Sequence, residues 1–113
     1  MRDAQSPDAL RFDVAMAEQL LGQVVLLGET YVDRAGKLLG HAQYWGTVRS
    51  LDPEQGICVQ LGGVHAGSER WYPPDTAVFS AASPGEYRLR STGEVVVDPA
   101  YVGQWTVYGR GEP

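Results

Sequence analysis

Near the start of the chain Leu10, Val14, Ala17 and Leu21 recur at helical spacing, and Met16 and Leu20 widen the apolar stripe. Ser6 is suited to cap a helix, Pro7 fits its first position, and Asp8 and Asp13 lie toward the positive end of its dipole. Gly22 offers the left-handed residue that ends such a helix. The spacing predicts a helix over residues 7–21.

Beyond Gly22 the apolar period drops to two and turn residues recur. Gln23–Val32 reads as a strand, apolar on both faces at its start and therefore central. Asp33-Arg34-Ala35-Gly36 is a tight turn, and Leu38–Ser50 a second strand with Gly40 as its weak point. Asp52-Pro53-Glu54-Gln55-Gly56 is a turn with proline at its favoured second position. Ile57–Leu61 alternates, with Ile57, Val59 and Leu61 on one side and Cys58 and Gln60 on the other. A short strand is expected at Glu69–Tyr72 and a 3₁₀ turn from Pro73 through Phe79. Glu86–Arg90, Gly93–Asp98 and Gly103–Tyr108 complete the set, with Tyr87, Leu89, Val95, Val97, Trp105 and Val107 as the inward residues. The tail from Gly109 to Pro113 is expected to fray.

Turns spaced roughly every 8–12 residues in a β-rich chain point to a barrel or sandwich. The length left after the helix suits a small, partly open barrel of about five to seven strands. The expectation is one mainly β domain spanning residues 1–113, an N-terminal α-helix packed on an SH3-like barrel over residues 23–108.

Composition narrows the function classes. Cys58 is the single cysteine, which excludes an intramolecular disulfide and a multi-thiolate zinc site. The N-terminal residues carry no apolar run resembling a signal peptide, and no stretch reaches the length of a membrane helix. A cytoplasmic, membrane-free protein is the expectation. With net charge −5 and scattered arginines, the chain is not expected to bind nucleic acid. The acidic balance favours a basic protein partner.

Two resemblances follow from particular residues. Tyr44-Trp45-Gly46-Thr47-Val48, the Asp52–Gly56 turn and Ile57–Leu61, with a later 3₁₀ turn, resemble the middle of an SH3-like or Tudor-like barrel. Pro84-Gly85-Glu86-Tyr87-Arg88-Leu89-Arg90-Ser91-Thr92-Gly93-Glu94-Val95 is similar to small bacterial proteins, some of which resemble immunity proteins of polymorphic toxin systems. Arginine outnumbers lysine eight to one, a bias common in GC-rich bacterial genomes. The resemblance implies a cytoplasmic protein that occludes a toxin.

No motif carries chemistry by its spacing. Cys58 with His41 or His65 is the nearest approach to a nucleophile–base pair, but no glycine-rich elbow or helix start adjoins the cysteine. The two histidines stand at no ligand spacing with each other or with Asp33, Asp75 or Asp98, so neither metal nor cofactor is expected. Gly62–Gly67 is glycine-rich, yet no helix follows it to cradle a phosphate. The aromatics stand out instead. Alternation sends Trp45 opposite to Tyr44, and Trp71 opposite to Tyr72, so one of each pair can serve as a surface anchor. The expected function is non-catalytic protein binding through Trp45, Asp52, Glu54, Glu69, Trp71, Tyr72 and Asp75. A small-ligand or peptide-binding module, using a groove beside residues 62–85, is the alternative, and an enzyme comes third.

Overall fold

The structure, a computed structural model, describes residues 11–109. Helix α1 (Val14–Leu20) is followed by β1 (Val24–Val32), β2 (Leu38–Asp52), β3 (Gly56–Leu61) and β4 (Glu69–Tyr72). After a 3₁₀ turn at Thr76–Val78 come β5 (Phe79–Ala81), β6 (Glu86–Arg88), β7 (Val95–Val97) and β8 (Tyr101–Tyr108). Six strands form one sheet in the order β4-β3-β2-β1-β8-β5, while β6 and β7 pair as a separate hairpin. The domain is mainly β, with one short helix ahead of the sheet.

The sheet curls because β2 serves two neighbours. Its early residues pair with β1, its later ones with β3, and the register slips between Val48 and Ser50. Gly46 sits at the changeover, opposite both Val25 and Leu61. A Cβ there would lie 2.3 Å from the carbonyl oxygen of Gln60, so only glycine permits the approach. The curl brings Tyr72 of β4 onto Trp105 of β8, with ring centroids 4.0 Å apart, although β3, β2 and β1 separate those strands in the sheet. This is a partly open barrel. Short β5 pairs only with Tyr101–Gly103, which leaves the barrel open along the rest of β8.

Each face of the sheet has its own core. Inside lie Leu20, Val25, Leu27, Val48, Ile57, Val59, Leu61, Tyr72 and Phe79. Outside, the β6–β7 hairpin packs Leu89 and Val96 on Leu26, with Trp45 and Val102 at the edge. Full burial of each aliphatic side chain contributes roughly 1.5–3 kcal/mol.

Several expectations need correction. The helix begins at Val14, not at residue 7, because the Asp13 carboxylate caps the Met16 N–H and Arg11 and Phe12 ahead of it are not helical. Thr76 holds that preceding segment: its hydroxyl accepts from Asp13 N–H and donates to the Arg11 carbonyl. Ser6, Pro7, Asp8 and Leu10 lie outside the described residues, as do residues 110–113 of the tail. The buried stripe is Ala17 and Leu20, and Val14 and Leu21 face solvent, since a helix this short presents less than two turns to the core. Gly40 does not break β2, which continues to Asp52. In β7 it is Val96 that is buried, at 6% exposure, whereas Val95 and Val97 point outward. The Gly93 turn sets that register by pairing Tyr87 with Val96. The last of the three terminal strands, β8, leaves the β6–β7 hairpin and runs parallel to β1.

Candidate binding cleft

Strand β1 carries a carboxylate into the barrel. Glu29 follows Val25 and Leu27 at a spacing of two, so its side chain joins theirs on the inner face, where it is 2% exposed. A carboxylate buried this deeply requires compensation. Arg70 of β4 supplies it in bidentate form, with Nε donating to Oε2 at 2.8 Å and Nη2 to Oε1 at 2.9 Å. The Tyr72 hydroxyl donates to Oε2 at 2.7 Å, and the Tyr31 hydroxyl donates to Oε1. Four donors fill the roughly four acceptor sites of a carboxylate, leaving Glu29 no free lone pair with which to take a substrate proton. Arg70 also lies over the ring of Tyr44, 4.7 Å from its centroid.

The titration behaviour follows from this packing. Burial, with the hydrogen bond and charge of Glu29, pushes the Tyr31 phenol up to about 12. The same causes hold Tyr72 well above the ordinary tyrosine range. Burial alone would lower the pKa of Arg70, but the hydrogen bonds and charge of Glu29 outweigh it and keep the guanidinium protonated.

This network forms the floor of a cleft of about 420 Å³ at the open side of the barrel. Tyr31, Arg70, Trp71, Pro73, Trp105 and Tyr108 are among its walls. Trp71 and Tyr108 remain 52% and 72% exposed. The Trp105 indole N–H is buried without a hydrogen-bond partner among the described residues.

The residues singled out from sequence take different places. Tyr72 and Trp71 alternate as expected: the first belongs to the floor, the second to the rim. Asp52 accepts from the backbone N–H groups of Glu54 and Gln55, which lock the turn and hold its carboxyl below the usual range. Asp75 caps the 3₁₀ turn through Ala77 N–H. Gly56 of the Asp52–Gly56 turn abuts Tyr72 and Pro73, and the Asp75 N–H donates to the Pro73 carbonyl, so the turn and Asp75 adjoin the Pro73 end of the cleft, although Asp52, Glu54 and Asp75 do not line it. Glu69 stands at the other end of β4, ion-paired with Arg49. Trp45 is not part of this face. It packs under the hairpin on the opposite side of the sheet, its indole N–H 3.5 Å from Glu94 Oε2.

The sequence did not assign Glu29, Tyr31, Arg70 or Tyr108 to the site, and it placed Trp105 only among the inward-facing residues. The available signal was an acidic residue at inward spacing in a central apolar strand, matched by Arg70 two residues from Tyr72. The glycine-rich loop does receive an anion, but from this chain: Val64 N–H donates to Glu94 Oε2 at 2.9 Å. A Cβ on Gly63 would collide with that carboxylate. Burial works against the charge of Glu94, yet this bond, the Thr92 hydroxyl, the Trp45 indole and the charge of His65 together hold its carboxyl below the ordinary range. Cys58 is buried and lines neither this cleft nor the larger groove on the outer face. Among the described residues no three His, Cys, Asp or Glu side chains gather as a metal site, and no helix is long and apolar enough to cross a membrane.

Fold and cleft together define a small β-barrel domain with an aromatic-rimmed opening and an ion-paired floor. Compared with protein-family models, characterised proteins and solved structures, the chain matches none of them.

Proposed function

We propose that this chain is a non-catalytic protein-binding domain whose partner docks over the barrel opening. One observation carries the reading: Trp71 and Tyr108 stand exposed at the rim of a cleft whose floor is fixed by the saturated Glu29 network. Large aromatic side chains over a rigid base bind at low entropic cost, which is the character of interface anchors. Asp52, Glu54 and Asp75 beside the Pro73 end favour a partner segment bearing basic residues. Occlusion of a toxic enzyme, the role implied by the resemblance of the Pro84–Val95 segment, is one form this binding takes.

The cleft volume also falls in the range of small-molecule sites, which favours a second reading as a peptide- or ligand-binding module. A partner recovered with the full chain from its own cells and then purified separates the outcomes by calorimetric titration. Trp71→Ala and Tyr108→Ala should each weaken binding by about tenfold or more while thermal stability is kept. Unchanged affinity in both variants would contradict docking at the opening. Competition of the partner by a short segment of itself would favour the peptide-binding form.

A further inference from the structure

A second concavity, of about 700 Å³, lies on the outer face of the sheet beside the loop joining β6 and β7. Gly28 and Thr30 of β1, His41 and Gln43 of β2 and Gln104 of β8 form its base, and Arg90 and Ser91 overhang it. The loop is pinned there, because the Gln43 side-chain carbonyl accepts from the Arg90 N–H and the Ser91 hydroxyl donates to the Gln43 main-chain carbonyl at 3.1 Å. Gln43 thereby spends its acceptor on the loop and leaves its NH₂ group as a donor. Thr30 Oγ1 and His41 Nδ1 lie 3.3 Å apart and satisfy each other.

Arg90 differs from the arginines of β2, β4 and β6. Arg88, two residues earlier, is used structurally and donates to the Gly93 carbonyl. Arg49 and Arg70 are ion-paired with Glu69 and Glu29. The Arg90 guanidinium has no hydrogen-bond or ion-pair partner among the described residues, and neither has the side-chain amide of Gln104. The groove's one acidic lining residue is Glu29, whose carboxylate is turned inward and already holds Arg70 and Tyr72. A fixed concavity in a chain of net charge −5 therefore presents donors with no matching anion among the described residues.

We propose that this groove is a binding site for a small oxyanion, a phosphate or carboxylate group, held by the Arg90 fork with the Gln43 and Gln104 amides beneath it. It is separate from the barrel opening, and its existence does not depend on a protein partner.

Amide-resolved NMR titration of the full chain with inorganic phosphate and, separately, with malonate tests this, and the two arms distinguish the phosphate from the carboxylate form. At least one probe should give saturable shifts centred on Gly28, Thr30, Ser91 and Gln104, with a dissociation constant in the millimolar range. Arg90→Gln should weaken that binding about tenfold, and Gln104→Leu by a smaller factor, with the rest of the spectrum unchanged. Shifts that do not saturate with either probe would overturn the assignment. Equal affinity in Arg90→Gln, or shifts centred on Arg49 or Arg88, would overturn it as well.

Discussion

Two polar sites lie back to back across strand β1, and they differ in how far their hydrogen bonds are satisfied. On the inner face Glu29 is buried and receives four donors from Arg70, Tyr72 and Tyr31. On the outer face the neighbouring residues Gly28 and Thr30 border a groove where the side chains of Arg90 and Gln104 find no partner among the described residues. The two-residue period of one strand thus feeds a closed network and an open one. A closed network ties strands together and leaves little capacity for a ligand, whereas an open one contributes little to folding and keeps its donors for something else. The inner site is accordingly assigned to holding the barrel mouth in shape, with recognition left to Trp71 and Tyr108 at its rim.

The sharpest break between the two sites is expected in stability. Glu29→Ala leaves the half-buried Arg70 guanidinium and two tyrosine hydroxyls without their acceptor, and should cost about 2–4 kcal/mol in urea denaturation. A loss under about 1 kcal/mol would mean that water replaces the carboxylate and the network is not closed. Tyr72→Phe removes one charge-assisted bond but keeps the stack on Trp105, so its cost should be about 1–2 kcal/mol by the same assay.

The pH dependence separates the sites further. Because the Tyr31 phenol is pushed up from 10.0 to about 12, the fold favours its neutral form. That stabilisation is complete below pH 10 and is lost as pH rises from about 10 toward 12. Denaturation midpoints across this window should fall for the native chain and fall less steeply for Tyr31→Phe. An identical slope in both would place the loss elsewhere. The smallest effect belongs to the outer groove, where Arg90→Ala should change stability by no more than about 0.5 kcal/mol. A larger loss would make Arg90 a structural partner of the hairpin rather than a spare donor.

The local parts of this fold were legible because their causes are local. Asp52-Pro53-Glu54-Gln55-Gly56 makes its turn from its own residues, and the opposite directions of Tyr44 and Trp45, or of Trp71 and Tyr72, follow from strand period alone. The 3₁₀ turn after Pro74 was legible for the same reason, Asp75 being its cap. The helix start was misplaced because Ser6-Pro7 and Asp13 both offer capping chemistry, and Thr76, remote in sequence, holds the segment ahead of Asp13. The parallel seating of β8 on β1 left no local mark, since any apolar alternating strand could occupy that slot. The Glu29–Arg70 pair was hidden likewise: its partners are 41 residues apart and meet only once the sheet has curled. Val96 was missed because Val95, Val96 and Val97 are chemically equivalent, and only the pairing opposite Tyr87 chooses among them.

The claim that Glu29 and Arg70 close the barrel mouth is tested most directly by a double-mutant cycle. Urea denaturation of the native chain, Glu29→Gln, Arg70→Met and the double variant gives the coupling between β1 and β4. The account predicts a coupling of about 2–3 kcal/mol, with the double variant losing less than the sum of the single ones. Strictly additive losses would show that the two side chains do not hold the strands together, and the rigid floor beneath Trp71 and Tyr108 would have to be abandoned.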